Sequence, residues 1–440
     1  MSRLGLCIAI AFLAVSSALA GDWPQWRGPN FNGSTNEKNL PQRWSRTENI
    51  AWSVDLPAAA ASTPVVCGGK VFLTGVDKDA DMLQVMCFDR ADGKLLWKHD
   101  TAKGIKRGRR SNYASPSPVA DNERVYFFFG NGDLLCYDQN GNKLWGRNIQ
   151  KDYGPFAFQW TFSSTPLLFD GRLYLQVLQR DVPVEGRGFK DRENKSYILA
   201  MDPTTGKTLW RHFRPSNAHA ESHEAYSTPM PYRHNGADQL LIVGGDAVSG
   251  HNPATGEELW RWGTWNPTRI PHWRLVASPV AAKGVVLACA PKRDPVYAVK
   301  LGGSGKLTDD ELAWVSRDTR EVSSDVPTPA FYDGNFFVLS DVRKSLSRVE
   351  PRNGKVKWTI KTPGRRKYEA SPLAGDGKIY IMNFDGLVSV FAADDGKLLH
   401  EISMDKPAAG EVVRSSIVAA GGRLFIRTTR KLYCVGGKGK

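Results

Sequence analysis

Eight recurring phrases in this 440-residue chain open with a small residue, usually followed by proline, and the residues just before them could carry chemistry. These residues are a mixture of aromatic, cationic and anionic side chains. Aromatic faces suit a flat ring or a sugar, arginine suits a carboxylate or phosphate, and carboxylates suit hydroxyl groups or a cation. The predicted ligand-binding residues are Tyr113, Trp160, His223, Glu224, Tyr226, Arg274, Asp325, Glu369 and Arg414.

Two interpretations of the charged members of this set stay open. In the first, Glu224, Asp325 and Glu369 supply some of the several oxygens that calcium takes at about 2.3–2.6 Å. In the second, Arg274 and Arg414 neutralise these carboxylates in a water-filled channel, because axial channels are usually polar and wet. The second interpretation predicts no bound cation.

The densest local group of candidate metal ligands is His219, Glu221 and His223. An extended chain would place all three on one side, because side chains alternate with a period of two, and zinc accepts such ligands. However, no Cys or His partner follows at a strong metal-binding spacing. A hydrogen-bonded loop is therefore the favoured interpretation, and no metal is expected.

Signatures of nucleophilic and redox chemistry are missing from the sequence. It contains no GxSxG elbow, no HExxH and no P-loop, and no CxxC or adjacent cysteine pair. Cys87, Cys136 and Cys434 take the same strand position in three different repeats, where they are too far apart to form a disulfide. We expect them to be small buried residues rather than a redox centre.

The elements that must position the candidate residues follow from an internal repeat. Each unit carries two hairpins of short strands bounded by Gly, Asp or Asn turns, and the second hairpin usually ends at tryptophan. The period of roughly 40–50 residues is typical of propeller blades, which stack around an axis because one sheet cannot bury both faces alone. The repeat tryptophans are Trp52, Trp97, Trp145, Trp210, Trp260, Trp314 and Trp358, and His400 stands where another is expected.

The repeat predicts an all-β fold, namely an eight-bladed β-propeller of four-stranded antiparallel blades. The eighth repeat has no tryptophan strand after it, whereas residues 49–56 supply Trp52 with no strands before them. We therefore predict that the N-terminal strand with Trp52 completes the C-terminal blade and closes the ring. The predicted segments are a signal peptide, a lead-in, the propeller and a basic tail, at residues 1–20, 21–47, 48–436 and 437–440.

The tryptophan phrase resembles the docking repeat AxDxxTGxxxW of the quinoprotein-type, or PQQ-like (pyrroloquinoline quinone), eight-bladed propellers. The match is closest from Ala200 to Trp210, while Gly250 and Asn252 replace Ala and Asp in the next copy. Over about residues 45–436, the resemblance implies the propeller fold. It implies two functional classes: quinoprotein alcohol and glucose dehydrogenases, where PQQ and calcium lie over the axis and an Asp acts as base, and cofactor-free binding propellers of the BamB type.

The sequence favours the binding class. The resemblance implies that a quinoprotein dehydrogenase usually carries an adjacent cysteine pair and tends to have large insertions between blades. This chain has no adjacent cysteine pair. We therefore predict an exported, non-catalytic binding or scaffold propeller that recognises a protein segment or an envelope glycan, without a cofactor. The alternative is a quinoprotein dehydrogenase, or a degenerate relative, that uses PQQ and calcium to oxidise an alcohol or sugar.

Seven tryptophans lie outside the docking repeat. Trp23 and Trp26 belong to the lead-in phrase at residues 22–35, which we expect to pack against the side of the propeller or to form part of an aromatic partner-binding face. Tryptophan and arginine are favoured interface anchors, so residues 261–274 are the preferred recognition loop. The predicted partner-binding residues of that loop are Trp262, Trp265, Arg269, His272 and Trp273.

Export is predicted from the first twenty residues. Arg3, the apolar run 4–15 and the small residues up to Ala20 are typical of a secretory signal that is cleaved near Ala20. No later apolar run reaches the length of a transmembrane segment, so we expect a periplasmic or extracellular protein. We also expect it to be monomeric. The net charge of +14 is mostly scattered, and nucleic acid is not the expected partner, although the basic runs 103–110 and 361–367 could favour an anionic polymer.

Overall fold

The repeated hairpins form eight antiparallel sheets, which a computed structural model of the chain arranges as the blades of a propeller. This confirms the all-β, eight-bladed prediction. The structure describes residues 21–106 and 111–437. The predicted signal peptide at 1–20, part of the basic run 103–110 and all but the first residue of the tail 437–440 lie outside the described residues.

In blades 1 to 7 the first strand is the innermost and the later strands follow it outward from the axis. First strands of neighbouring blades therefore contact each other around the axis. Strand β1 (Ile50–Asp55) comes first in the chain but belongs to blade 8. Blades 1 and 2 contain β2 to β9: Val65–Cys67, Lys70–Asp77, Met82–Asp89, Leu95–Lys103, Val119–Ala120, Arg124–Phe128, Asp133–Asp138 and Lys143–Asn148. Blades 3 and 4 contain β10 to β17: Leu167–Phe169, Arg172–Val177, Tyr197–Met201, Thr208–Phe213, Met230–His234, Ala237–Gly244, Ala247–His251 and Glu258–Trp262.

The second half of the ring repeats this order. Blade 5 contains β18, β19, β20 and β22, and a short strand, β21, lies between the last two in sequence: Val280–Ala282, Val285–Cys289, Val296–Lys300, Gly305–Leu307 (β21) and Leu312–Val315. Blades 6 and 7 contain β23 to β30: Ala330–Tyr332, Asn335–Ser340, Ser345–Val349, Val356–Lys361, Leu373–Gly375, Lys378–Met382, Leu387–Ala392 and Leu398–Ser403. Blade 8 contains β31 to β33: Val418–Ala420, Arg423–Arg427 and Lys431–Val435.

Strand β1 closes the ring, as predicted. It pairs antiparallel with β33 in a register that runs from Ile50 opposite Val435 to Asp55 opposite Lys431. Blade 8 is thereby assembled from both ends of the described chain, and no sheet edge is left between the first and last repeats. Trp52 lies opposite Cys434, so the docking tryptophan of blade 8 is supplied by the N-terminal strand.

The position of a strand in its blade decides its residue pattern. The second and third strands have neighbouring blades on both faces, so β3 and β4 are buried almost continuously along their length. The outermost strands have one face against the next blade and one toward solvent, so β26 alternates between half-buried and exposed residues. This difference explains why the inner strands are apolar runs and the outer strands carry charged residues.

Blade 4 departs from the four-stranded prediction. Strand β21 pairs in parallel with its outermost strand, β17, so that Trp260 lies opposite Gly305 and Trp262 opposite Leu307. Helical structure in the described residues is confined to one short α-helix, α1 (Ile149–Tyr153), and two single 3-10 turns, Ala220–His223 and Asp309–Glu311. None of these segments has the length and hydropathy that crossing a bilayer requires.

The tryptophan repeat joins most blades to the next by a contact between indole and glycine. A Cβ atom at Gly93, in blade 1, would lie 2.6 Å from the Trp52 ring of blade 8, and one at Gly141 would lie 2.7 Å from the Trp97 ring. Both glycines also have positive φ angles, 78° and 88°. The turn must therefore be glycine for two reasons, the close approach of the indole and the left-handed backbone.

After blade 7 another residue takes this position, and after blade 3 the indole keeps its glycine contact but lacks a hydrogen bond. His400, which stands where a docking tryptophan is expected, contacts Trp44 of the lead-in with ring centroids 5.3 Å apart. The indole N–H of Trp210 has no hydrogen-bond acceptor, because the hydroxyl of Tyr174 donates to the Pro253 carbonyl at 3.0 Å. The repeat thus tolerates histidine at position 400, where the Trp44 ring packs beside it.

The cysteines are packing residues, as predicted. Cys87, Cys136 and Cys434 are buried and unbridged, like the other two cysteines of the described residues. Burial raises the pKa of Cys87 and of Cys136 to about 12. A thiol that stays protonated at neutral pH is a weak nucleophile, so these side chains behave as small apolar groups.

Candidate functional site

The first strands of the blades begin at a closed ring of eight hydrogen bonds around the axis. In each bond, the backbone N–H of a Ser or Thr donates to the hydroxyl of the equivalent residue in the next blade, over 2.8–3.2 Å. We call this set the hydroxyl ring. The backbone N–H of Ser416 donates to the hydroxyl of Thr63 and so closes the ring. The members in order are Thr63, Ser117, Thr165, Thr228, Ser278, Thr328, Ser371 and Ser416.

The hydroxyl ring explains the small residue of the recurring phrases, a feature that the sequence shows plainly but whose role was missed. The hydroxyl must reach the backbone of the neighbouring blade, which only a short side chain near the axis can do. In seven of the eight phrases the next residue is proline, which has no N–H to satisfy at the start of the strand.

An axial funnel with a cavity of about 190 Å³ opens above the hydroxyl ring. Six members of the ring line it, and five of the predicted residues line it with them: Trp160, Tyr226, Arg274, Glu369 and Arg414. The other predicted residues, Tyr113, His223, Glu224 and Asp325, lie outside this lining, and Glu224 and Asp325 contact residues that belong to it. The connections before the first strands therefore bring part of the predicted set together.

The lead-in crosses the opposite end of the axis and forms the base of the funnel. Trp23 pairs with Val66 of blade 1 through two backbone hydrogen bonds, and Thr35 and Gly33 bond to Ala374 of blade 7. Between these points, Trp26 lines the cavity. The lead-in packs against the propeller, but across the axis rather than against the side as predicted.

Arg27, next to Trp26, fixes the lead-in to the base. It is fully buried, and it donates to the carbonyl oxygens of Thr328, Pro329 and Pro372 at 3.4, 2.9 and 3.3 Å. No carboxylate forms an ion pair with it among the residues that the structure describes. Burial lowers the pKa of Arg27 to about 9, so the guanidinium is still cationic at neutral pH.

One wall of the funnel is organised around Glu224, whose side chain is completely buried. Its carboxylate accepts hydrogen bonds from the hydroxyl of Tyr226, from Nε of Arg180 and, at 3.1 Å, from the backbone N–H of Gln159. Burial raises the pKa of Glu224, while the Tyr226 and Arg180 hydrogen bonds act in the opposite direction. Burial, and then the charge of Glu224, raise the pKa of Tyr226 well above its ordinary value, so Tyr226 remains a donor.

Two arginines of the funnel lining also contact carboxylates. Arg274 lies 3.5 Å from Asp325 and 3.7 Å from Glu221, and Nε of Arg414 donates to Glu369 at 2.8 Å. The arrangement agrees with the interpretation in which arginines neutralise the funnel carboxylates. Among the described residues, no group of three or more His, Cys, Asp and Glu side chains is arranged to hold a metal ion.

Asp341 is a buried acid that sequence reasoning missed. Its Oδ1 accepts the backbone N–H of Asp325 at 3.0 Å, and its Oδ2 has no hydrogen-bond partner, with Nζ of Lys367 4.0 Å away. Burial and the nearby charges of Asp325 and Glu369 raise the pKa of Asp341 to about 7. The only signal in the sequence is a Ser-Asp pair at the end of an apolar strand, which is common in turns.

His219, Glu221 and His223 do not lie together on one side of an extended segment. Residues Ala220–His223 form a 3-10 turn rather than an extended segment, so the period of two does not apply. Glu221 instead accepts the indole N–H of Trp160 at 2.9 Å, and His223 lies 3.5 Å from Asp181. The favoured interpretation, a hydrogen-bonded loop, describes the observed structure.

The tryptophans of the predicted recognition loop are not exposed. Trp262, Trp265 and Trp273 are 0%, 6% and 4% exposed, because Trp265 packs edge to face against both of the others. Their indole N–H groups find acceptors within the protein, such as the Asp246 carbonyl at 2.6 Å from Trp265. An aromatic partner surface at these three residues is therefore excluded, and only Arg269 and His272 of the predicted set reach solvent.

The donor set does not fit a calcium ion. Calcium takes six to eight oxygen ligands, whereas each predicted funnel carboxylate accepts hydrogen bonds from an arginine or lies against one. A base must also reach the proton that it accepts, and Asp341, which has a free carboxylate oxygen, does not line the cavity. We therefore derive no chemical step through PQQ and calcium in this funnel.

Eight radial blades, indole docking between them and a funnel on the axis define a PQQ-like propeller of the quinoprotein type. The family model described as outer membrane protein assembly factor BamB matches residues 43–174, 156–312 and 248–439. The chain belongs to this family.

Curated relatives include dehydrogenases. Quinohemoprotein alcohol dehydrogenase ADH IIB of Pseudomonas putida is 24% identical over 361 residues, which are 74% of this chain and 48% of the relative. Quinohemoprotein alcohol dehydrogenase ADH-IIG of the same organism is 24% identical over 169 residues, 37% of this chain and 21% of the relative. The chain thus spans less than half the length of these relatives.

Solved structures of both classes share the fold. Quinohemoprotein alcohol dehydrogenase from Comamonas testosteroni superposes with a TM-score of 0.63 at 14% identity, covering 97% of this chain and 82% of that one. BamB from Moraxella catarrhalis superposes with a TM-score of 0.57 at 12% identity, covering 88% and 97%. At this level of identity the similarity concerns the fold alone.

Proposed function

We propose that the chain is an exported, non-catalytic binding propeller whose axial funnel takes part of an envelope protein or glycan. The observation that carries this proposal is the pairing of every predicted funnel carboxylate with an arginine: Glu224 with Arg180, Asp325 with Arg274 and Glu369 with Arg414. A paired carboxylate is a poor proton acceptor and a poor calcium ligand, but it holds the arginine in place.

The rest of the funnel supports binding. Its lining combines two indoles, Trp26 and Trp160, with the hydroxyl ring, and its base is closed by the lead-in. Concave sites of this kind, with aromatic surface and a few fixed polar groups, are typical of ligand pockets. Residues from most blades contribute to the wall, so the shape of the funnel depends on the whole ring.

The proposal is tested by binding to envelope fractions separated into protein and glycan. We expect Trp160→Ala, which removes an indole from the wall, to weaken binding by about tenfold or more, as at a binding hot spot. Phe213→Ala is the matched control, because Phe213 is an aromatic residue 42% exposed on outer strand β13, away from the funnel. Binding that is unchanged by Trp160→Ala would contradict the assignment of the funnel.

The similarity to quinohemoprotein alcohol dehydrogenase ADH IIB over 361 residues favours a second candidate, a quinoprotein dehydrogenase or a degenerate relative. Reconstitution with PQQ and calcium, followed by dye-linked oxidation of alcohols and sugars, separates the two candidates. Stoichiometric quinone binding with turnover would overturn the binding proposal. Binding of an envelope component without turnover supports it.

A further inference from the structure

The hydroxyl ring leaves hydrogen-bond donors available to a ligand. A serine or threonine hydroxyl has one proton and two lone pairs, and the N–H of the neighbouring blade uses one of the lone pairs. None of the eight hydroxyls donates its own proton to another group among the described residues of the protein. Six of these residues line the cavity, so the lower funnel presents donors to an oxygen-rich ligand: Thr63, Ser117, Thr165, Thr228, Ser371 and Ser416.

The base of the funnel has an apolar ring next to these donors. The indole of Trp26 lines the same cavity as the hydroxyls, and it is held there by the lead-in on both sides. Flat aromatic rings pack well against the C–H face of a sugar, while the sugar oxygens stay free to accept hydrogen bonds. A ring of donors around an aromatic base therefore suits a pyranose better than a purely apolar group.

The charge at the base selects among sugars. The Arg27 guanidinium lies 5.6 Å from the Trp26 ring centroid, donates only to carbonyl oxygens and has no partner at Nε. A buried cation without an anionic partner is costly, because nearby carbonyls replace only part of its hydration. Arg27 does not line the cavity but lies beside Trp26, so the charge of an anionic ligand in the funnel would offset part of this cost through space, whereas a neutral ligand would not.

From these observations we infer that the funnel binds the end of an acidic glycan, with a uronic acid residue against Trp26 and its oxygens on the hydroxyl ring. The inference rests on the proposed binding function and names its ligand class. A peptide is the weaker fit, because it brings one N–H donor for each carbonyl acceptor and the ring already presents donors. The carboxylate of the uronic acid brings a negative charge to the side of the base where Arg27 is buried.

The test compares three ligands by calorimetry with the whole chain: trigalacturonate, its neutral counterpart trigalactose, and the acidic peptide triglutamate. We expect trigalacturonate to bind at least about tenfold more tightly than trigalactose, with an affinity that falls as salt screens the charge. Equal binding of the neutral and acidic sugars would overturn the inference. Preference for triglutamate would also overturn it, while leaving the binding proposal in place.

A variant locates the site. Trp26→Leu keeps an apolar side chain at the base but removes the flat ring, so we expect about a tenfold loss of affinity for trigalacturonate. Phe213→Ala, on the outer rim, is the control and should bind normally. Unchanged binding by Trp26→Leu would overturn the inference. The ligand preference of the unaltered protein is decisive even if the variant fails to fold, and turnover with PQQ and calcium would reject the binding proposal itself.

Discussion

The indole N–H of Trp52 donates a hydrogen bond of 3.0 Å to the backbone carbonyl of Arg90, which belongs to the next blade around the ring. The same indole lies against Gly93 in that blade. Trp52 belongs to the N-terminal strand, while the strands beside it come from the C-terminal repeat. This one side chain therefore joins blade 8 to blade 1 across the point where the chain closes on itself.

Replacement of Trp52 tests this junction. We expect Trp52→Ala to lower the free energy of unfolding by about 3–5 kcal/mol, because a large buried ring is lost at a closed interface. Trp52→Phe should cost less, since a ring remains and mainly the hydrogen bond to Arg90 is removed, worth about 1 kcal/mol. Urea denaturation measures both values, and equal stabilities of the two variants would contradict the packing argument.

The turn glycines provide a second test. Gly141→Ala places a Cβ 2.7 Å from the Trp97 ring at a φ of 88°, so steric overlap adds to backbone strain. Gly171→Ala is the matched control, since Gly171 has a φ of 67° but no heavy atom within 4 Å. We expect Gly171→Ala to cost about 1–2 kcal/mol of unfolding free energy and Gly141→Ala about 1–3 kcal/mol more. Equal losses in thermal or urea unfolding would show that the indole can move aside.

The hydroxyl ring can be opened at one member. Thr165→Val keeps the shape of the side chain but leaves the backbone N–H of Ser117 without its acceptor, so we expect a loss of about 1–3 kcal/mol in unfolding free energy. Thr165→Ser retains the hydroxyl and should cost less. Hydrogen exchange at the Ser117 amide should accelerate only in the valine variant, and protection that persists there would argue against the bond.

Asp341 makes stability depend on pH. An unfolded aspartate titrates near 3.9, whereas Asp341 in the fold titrates at about 7. Between these values the folded protein binds more protons than the unfolded chain, so the free energy of unfolding falls as the pH rises from about 4 to about 7. We expect Asp341→Asn to remove this loss and to raise the free energy of unfolding at pH 8 by about 2–4 kcal/mol relative to the unaltered protein.

The control for this prediction is an exposed acid. Asp385 lies 3.5 Å from Arg366 at the surface, and Asp385→Asn should change stability by less than about 1 kcal/mol at either pH. Urea unfolding at pH 4 and pH 8 measures all three proteins. A stabilisation by Asp341→Asn that is equal at both pH values would exclude titration of Asp341 as its cause.

The fold could be predicted from the sequence because its strongest interactions repeat. The same glycine and tryptophan recur in successive units, and the two incomplete repeats at the ends complement each other around Trp52. These repeated interactions lie within one blade or between neighbouring blades. Strand β21 was missed because it belongs to a single insertion and has no counterpart in the other repeats.

The site was predicted less completely because its contacts are specific to single residues. Arg27 bonds to Pro372, 345 positions away, and no local pattern indicates such a contact. Trp265 looks like an interface residue in sequence. In the structure its ring packs against Trp273, and its indole N–H donates to the carbonyl of Asp246. The carboxylates before the first strands were found from their position, but which arginine each one meets depends on the three-dimensional packing of the connections.

The lead-in has a consequence for the order of events in folding. Residues 22–35 are among the earliest of the described chain to be synthesised, but their partners include Ala374 of blade 7, and Glu37 beyond them accepts from the backbone of Gly421 in blade 8. These contacts join residues that are far apart in sequence. Forming them costs conformational entropy that is reduced only once the intervening blades have folded. We therefore expect the earliest residues to reach their native places last, so that a molecule with a finished funnel base has already completed its ring.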